Sequence, residues 1–111
     1  MCIYKYENIG DYMLETDDLL LKVSDFYKIL SDFTRFKIVY SLLNGEKCVR
    51  EIEEDVGMSQ TAVSYQLMTL KKAHLVKFNR KGKNVFYSID DDHVSDIVRI
   101  AIEHIKHEEN E

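Results

Sequence analysis

The sequence has few cysteines and no long apolar run, and both deficits narrow the class of protein. It contains two cysteines, Cys2 and Cys48, among 111 residues, which is too few for a disulfide framework. In a reducing compartment both are expected to be free thiols. No apolar run approaches the length that crosses a membrane, and residues 1–7 lack the apolar core of a signal peptide. We therefore expect a cytoplasmic protein that makes no membrane contact.

Acidic side chains are absent from residues 56–89, although the whole chain carries a net charge of −5. This segment holds six cations: Lys71, Lys72, Lys77, Arg80, Lys81 and Lys83. Since it contributes +6 to a total of −5, the remainder of the chain carries −11. Such a separation indicates one basic surface on an acidic body, which is typical of a nucleic-acid-binding protein. The alternative is a solvated patch without a partner.

Hydrophobic spacing predicts helices from Asp17 onward. An apolar stripe at i, i+4, i+7 and i+11 marks the first helix: Leu19, Val23, Phe26 and Leu30. With neighbouring Leu20 and Tyr27, this face is broad enough to serve both a core and a partner subunit. A second helix is expected after Ser31-Asp32, ending at Asn44-Gly45, with these apolar residues: Phe36, Val39, Tyr40 and Leu43. Residues 1–16 have no clear periodicity and are expected to form an N-terminal arm ahead of a single domain, residues 17–111.

Residues 49–72 have the pattern of a helix-turn-helix. A short third helix over residues 49–56, closed by Gly57, precedes a fourth helix that Ser59 can cap. The fourth helix directs Val63, Leu67 and Leu70 to the core. In a helix-turn-helix, the N-terminal end of the second helix enters the major groove of DNA. The residues predicted to point outward there are Ser59, Gln60, Thr61, Ser64, Tyr65 and Gln66.

A basic β-hairpin is predicted directly after this motif. Residues 75–80 and 85–89 have the composition of strands, and Lys81-Gly82-Lys83-Asn84 joins them. A hairpin in this position is a wing, and its cations suit the DNA phosphate backbone: Lys71, at the end of the fourth helix, joins Arg80, Lys81 and Lys83. The alternative is a structural hairpin with a solvated tip. The predicted fold class is mainly α with a small β-hairpin, a winged helix-turn-helix of about five helices plus wing.

Three of the four histidines lie in the last predicted helix, over about residues 90–107. His93 and His104 are eleven residues apart and share one helix face, and His107 follows close to the same stripe. Eleven residues span about 16 Å of helix, whereas metal ligands lie within roughly 2 Å of the ion. Two antiparallel copies would bring Asp91 and His93 of one to His104 and His107 of the other. The spacing therefore predicts a homodimer with two metal sites between its C-terminal helices.

The ligand set also indicates the metal. Three imidazoles and one carboxylate suit tetrahedral Zn(II), with Co(II) as the natural substitute. Four protein ligands leave no open position for a reactive water, so a zinc hydrolase is disfavoured and we expect no enzyme. Two alternatives stay open. Asp91 could cap the helix start instead of binding metal, and the histidines could be incidental on a solvated helix.

Several motifs together resemble the ArsR/SmtB family of bacterial metal-responsive winged-helix repressors. The resemblance begins at about Asp17 and rests on residues 30–35 (LSDFTR), residues 58–67 (MSQTAVSYQL), the wing, and the terminal pattern Asp-x-His…His-x-x-His. It implies a dimeric DNA-binding repressor. It also implies a zinc/cobalt site in the C-terminal helix, with Asp91, His93, His104 and His107 as ligands.

The sequence departs from the family pattern at three places. Phe33 replaces a usual proline, and Tyr65 and Gln66 replace a common histidine pair, so base preference does not carry over. Arg50 stands where thiolate-type members have a second cysteine near Cys48. That departure weakens, without removing, the alternative of a soft-metal or redox sensor that uses Cys48 with Cys2.

The function expected from sequence is a metal-sensing repressor. Its metal-free dimer would bind a two-fold operator, and Zn(II) or Co(II) binding would weaken that binding and derepress metal efflux or resistance genes.

Overall fold

The computed structural model describes residues 16–110 and confirms the predicted winged helix-turn-helix. Its helices are α1 (Asp17–Ser31), α2 (Phe33–Ser41), α3 (Val49–Val56), α4 (Gln60–Lys72) and α5 (Asp92–Glu109). Its strands are β1 (Lys47–Cys48), β2 (Val76–Lys81) and β3 (Asn84–Ile89). The strands form an antiparallel sheet in the order β1-β3-β2. Apart from Thr16, the predicted N-terminal arm lies outside the described residues.

Polar side chains define where three of the helices begin. The Thr16 hydroxyl accepts a hydrogen bond from the Leu19 amide at 3.2 Å, and the Ser59 hydroxyl accepts one from the Ala62 amide at 3.2 Å. Asp32 plays the same part for α2. Each bond satisfies an amide that has no partner inside its helix. Gly57 ends α3 in the left-handed conformation, with φ of +70°, so the chain turns sharply into α4.

The hydrophobic core is formed by α2, α3, α4, β2 and α5, and one face of α4 packs against it. Side chains with essentially no exposure come from all five elements: Ile38, Val39, Ile52, Val63, Leu67, Leu70, Val76 and Val98. The three residues of α4 in this set are the ones whose spacing predicts burial. Because one face of α4 is buried, its opposite face points to solvent. No helix within residues 16–110 is long and apolar enough to cross a membrane.

Helix α2 is shorter than its sequence predicts. It ends at Ser41, and the expected continuation to Asn44-Gly45 is wrong. The Leu42 amide bonds to the Val39 carbonyl and the Gly45 amide to the Leu42 carbonyl, so the chain tightens into successive i to i−3 turns. Tyr40, expected on the apolar stripe, is 55% exposed.

A third strand was not predicted. Lys47 pairs with Tyr87 and Cys48 with Phe86, which places the segment before α3 beside the wing, the hairpin of residues 76–89. Two residues are too few to show a strand periodicity, so the sequence carries no signal for β1. The pairing makes one sheet of the wing and the start of the helix-turn-helix.

The apolar flank is an exposed surface on α1 and α5. Only Leu30 of α1 is buried, whereas Leu19 and Val23 of its predicted stripe face solvent. The flank consists of Leu19, Leu20, Val23 and Tyr27 on α1 with Ile100 and Ile105 on α5. Extended apolar surfaces that are exposed on a soluble protein mark interaction sites.

Candidate nucleic-acid interface and metal centre

The N-terminal end of α4 presents the polar residues predicted to face DNA. Ser59, Gln60, Thr61, Ser64 and Tyr65 are all exposed in the structure. Thr61 and Tyr65 lie opposite the buried face of α4, which anchors the helix to the core, and Ser59 caps the start of the helix. The structure therefore brings these predicted residues together on one accessible surface.

Gln66 is the exception, because it faces inward. It is partly buried, and its side-chain oxygen accepts a hydrogen bond from the Arg35 guanidinium at 3.3 Å. The same guanidinium donates to the Ile29 carbonyl through Nε at 3.0 Å. The expectation that Gln66 points outward is wrong. Gln66 instead ties α4 to the junction of α1 and α2.

The wing extends the exposed surface with cations. Arg80, Lys81 and Lys83 are all exposed near its tip, where Gly82 has a φ of +64°. Lys81 has two neighbours that the sequence does not predict. It forms an ion pair with Glu46, in the turn before β1, and lies 5.3 Å from the centre of the Phe86 ring. A cation that was predicted to face DNA therefore already has an anionic partner within the chain.

Lys71 joins the recognition helix α4 to the base of the wing. Its ammonium group lies 3.9 Å from the centre of the Phe78 ring, a distance typical of a cation–π contact. Phe78 in turn packs at 6.0 Å from Tyr87 on the adjacent strand. The contact keeps one predicted DNA-facing cation close to both elements.

The predicted metal ligands lie at the two ends of α5. Asp91 and His93 are at its start, while His104 and His107 are near its end, and all four are exposed. The His93 side chain is 91% exposed. Within residues 16–110 of one chain, no three His, Cys, Asp or Glu side chains gather closely enough to hold a metal ion. One chain therefore does not form the site, and the two-chain arrangement stays a prediction.

Asp91 caps α5. Its Oδ1 accepts hydrogen bonds from the His93 amide at 2.9 Å and the Val94 amide at 3.2 Å. These bonds, that of Val94 first, lower the pKa of Asp91 because they stabilise its ionised form. His93 Nδ1 lies 3.4 Å from the same Oδ1. The capping role weighed from sequence is therefore present, and the ligand role stays a prediction.

His104 also has a carboxylate neighbour. Its Nε2 lies 3.4 Å from Glu108 Oε1, one helical turn further along α5. A carboxylate on one ring nitrogen favours the tautomer whose other nitrogen is free to coordinate a metal. The sequence shows Glu108 four residues after His104, and that spacing is the signal for this contact.

His74 and the start of α5 line one groove. The groove has a volume of about 410 Å³ and is formed with α1 residues that include Val23 and Phe26. Asp91 and His93 line its other side. His74 has a φ of +61° and joins the recognition helix to β2. The groove therefore places two of the four predicted metal ligands, Asp91 and His93, beside the junction of helix and wing.

Cys48 stands at the start of α3, where its amide donates to Glu51 Oε1 at 3.0 Å. It is partly buried and not in a disulfide within the described residues. Cys2, its expected partner in a thiol site, lies outside those residues. A site that joins the two cysteines therefore stays a prediction.

The fold and its exposed basic face define a winged helix-turn-helix DNA-binding protein. Residues 32–77 match the sequence model of the family described as bacterial regulatory protein, arsR family. The chain is 34% identical over 89 residues to a transcriptional repressor SmtB homologue of Synechocystis sp., covering 80% of this chain and 67% of the relative. The chain belongs to the ArsR family of bacterial regulatory proteins.

Two further comparisons agree with this assignment. A cadmium resistance transcriptional regulatory protein CadC homologue of Staphylococcus aureus is 40% identical over 85 residues, which cover 76% of this chain and 70% of that protein. The solution structure of a homodimeric winged helix-turn-helix DNA-binding domain from Mycobacterium bovis matches with a TM-score of 0.74 at 31% identity. It covers 85% of this chain and 94% of the other. The two relatives are transcriptional regulators rather than enzymes, in line with the expectation from sequence.

Proposed function

We propose that this protein is a repressor whose homodimer binds a two-fold operator in double-stranded DNA and releases it when Zn(II) binds, with Co(II) as a substitute. The observation that carries the proposal is the placement of the ligands on α5, two at its start and two near its end. The names of its relatives, a transcriptional repressor and a cadmium resistance regulator, support a metal-linked role. The regulated genes would then encode metal efflux or resistance proteins.

The apolar flank supports the homodimer. Leu20 and Ile100 are 54% and 64% exposed, although both are large and apolar. Pairing of α1 and α5 with the same helices of a second chain would remove this surface from water. The similar Mycobacterium bovis domain is homodimeric. Residues 17–111 would then serve both dimerisation and DNA binding.

The basic face supports DNA as the partner. Ser59, Gln60 and Thr61 lie at the start of α4, where hydroxyl and amide groups can bond to base edges and phosphates. Arg80 and Lys83 are exposed near the tip of the wing, where they would contact the phosphate backbone. Two copies of this face, related by two-fold symmetry, would fit successive half-sites of a palindromic operator.

The donor set fits Zn(II) or Co(II). Imidazole nitrogen and carboxylate oxygen are ligands that Zn(II) binds in tetrahedral geometry. The bonds that cap α5 fall on Asp91 Oδ1, so its second oxygen can coordinate while the cap is kept. The neighbour of His104 Nε2 is Glu108, which leaves Nδ1 as the coordinating atom of that ring. Two-fold symmetry then gives two ions per dimer.

The groove around His74 supplies a route from the metal ligands to the DNA-binding face. Bound between the chains, Zn(II) would hold the start of one α5 against the end of its partner. Asp91 and His93 share the groove with His74, which connects α4 to β2. A shift of the start of α5 therefore moves both recognition elements away from the spacing that an operator requires. Linkage demands that DNA weaken metal binding by the same factor.

The test compares operator binding with and without Zn(II) by fluorescence anisotropy, together with the metal content of the dimer. Replacement His104→Asn should leave metal-free DNA binding intact and abolish the response to Zn(II). Glu103→Gln, an exposed change at the adjacent position, is the matched control and should respond like the wild type. If His104→Asn abolished DNA binding without metal, or kept the full Zn(II) response, the regulatory role of α5 would be refuted.

A further inference from the structure

Two large apolar side chains are exposed at the centre of the surface proposed to face DNA. Tyr65 is 66% exposed and Met68 is 56% exposed on α4. With Thr61 and Ser64 they occupy positions i, i+3, i+4 and i+7 of the helix, which form one stripe. We call these four residues the reading stripe. It lies opposite the buried face of α4, so Tyr65 and Met68 do not contribute to the core.

The charges around the reading stripe select the kind of partner. Residues 56–89 contain no acidic side chain, and Lys71, Arg80 and Lys83 lie on the same recognition helix and wing. An apolar pair on a helix and wing that carry cations and no acidic side chain fits a polyanion that itself carries apolar groups. In the DNA major groove, the methyl group of thymine is the apolar group at the base edges.

Resting on the proposed DNA-binding function, we infer that Tyr65 and Met68 read thymine methyl groups in the major groove and so set operator specificity. The two residues are three positions apart, which corresponds to a rise of about 4.5 Å along the helix. Neighbouring base pairs are about 3.4 Å apart. Each half-site should therefore carry thymines at adjacent or nearly adjacent base pairs, one under each side chain.

The two polar residues of the reading stripe, Thr61 and Ser64, have a different role. Ser64 presents its hydroxyl group about one turn nearer the start of α4 than Met68, and Thr61 presents its hydroxyl about two turns nearer. Hydroxyls bond to base edges or phosphates without discriminating strongly among bases. The ring of Tyr65 and the side chain of Met68, in contrast, gain apolar contact where a methyl group is present. The inference therefore assigns the discrimination at these base pairs to the apolar half.

The test removes single methyl groups from the DNA. Operators are first selected from random duplexes with the full-length dimer, and each thymine of the selected site is then replaced by deoxyuridine, which pairs identically but lacks the methyl group. Wild-type affinity should fall about fourfold for each methyl group that a side chain covers. In Met68→Ala, the loss at one position per half-site should disappear, because the methyl group no longer has a contact.

Two conservative variants act as controls. Met68→Leu keeps an apolar side chain and should keep the deoxyuridine effect, and Tyr65→Phe keeps the ring and should do the same. Both sites are exposed, so circular dichroism should show unchanged folding. Equal deoxyuridine losses in the wild type and Met68→Ala, or selected half-sites without thymine, would overturn the inference alone. If no DNA were bound by any of these proteins, the DNA-binding proposal would fail and this inference with it.

Discussion

The ion pair between Glu46 and Lys81 should restrain DNA binding, and its removal should tighten the complex. In the free protein, Glu46 holds the Lys81 ammonium group that the wing would offer to a phosphate. Contact with DNA must exchange one anionic partner for another. The variant Glu46→Gln removes the carboxylate and leaves an amide of nearly the same shape, so Lys81 is available without that exchange.

The exposure of the pair bounds the size of the effect. The side chains are 53% exposed for Lys81 and 37% exposed for Glu46, so the pair lies near the surface and is screened by solvent. Such pairs contribute about 0.2–1 kcal/mol. A dimer contains two of them, so Glu46→Gln should tighten operator binding by about twofold to thirtyfold. Fluorescence anisotropy at a fixed, moderate salt concentration measures the change.

A double-mutant cycle separates this contact from a general charge effect. In a Lys81→Gln background, Glu46→Gln should lose most of its influence, because the group that it releases is absent. Lys81→Gln alone should reduce the slope of log affinity against log salt by about 0.9 per subunit. Equal tightening in both backgrounds, or no tightening in either, would refute the assignment of Lys81 to a phosphate contact.

Four other variants test the packing, a helix cap and the thiol alternative. Leu67→Ala should lower the free energy of unfolding by about 2–5 kcal/mol in urea titrations, because this side chain is fully buried, whereas exposed Tyr65→Ala should change it by less than about 0.5 kcal/mol. The Cys48 amide and thiol lower the pKa of Glu51, so its contribution to stability is present above the ordinary value of 4.5 and lost as pH falls. Glu51→Gln should therefore weaken the pH dependence of unfolding in acid, and an unchanged profile would contradict this. Cys48→Ser should keep the Zn(II) response in the anisotropy assay, while its loss would favour the thiol sensor.

The helices and their caps were largely predictable from local sequence. Asp32, Ser59 and Asp91 are capping residues directly ahead of periodic segments, and α2, α4 and α5 begin one residue after each of them. The spacing of Val63 and Leu67 likewise predicts the buried face of α4, since helical geometry decides which residues share a face. Capping residues and helical spacing are local signals, because they lie in or next to the helix that they predict.

Contacts between distant segments were not predictable in the same way. Glu46 and Lys81 are 35 residues apart, and their pairing depends on β1 joining β3 in one sheet. Gln66 follows two exposed residues of the recognition helix, yet it turns inward because Arg35 lies beside it. The predicted metal ligands depend in the same way on a contact with a second chain. Their separation along α5 predicts that a partner chain is needed, but it does not determine where that chain lies.

The central claim, that each metal site is shared between two chains, is tested most directly with mixed dimers. His93→Asn removes a ligand at the start of α5, and His104→Asn removes one near its end, so neither homodimer should contain a complete site. In a heterodimer of the two variants, one site has all of its ligands and the other lacks two. Tagged heterodimers, purified and analysed for zinc, should therefore bind about one Zn(II) per dimer with near wild-type affinity, given two-fold symmetry. Absence of zinc from the heterodimer, or full zinc binding by either variant homodimer, would contradict the account.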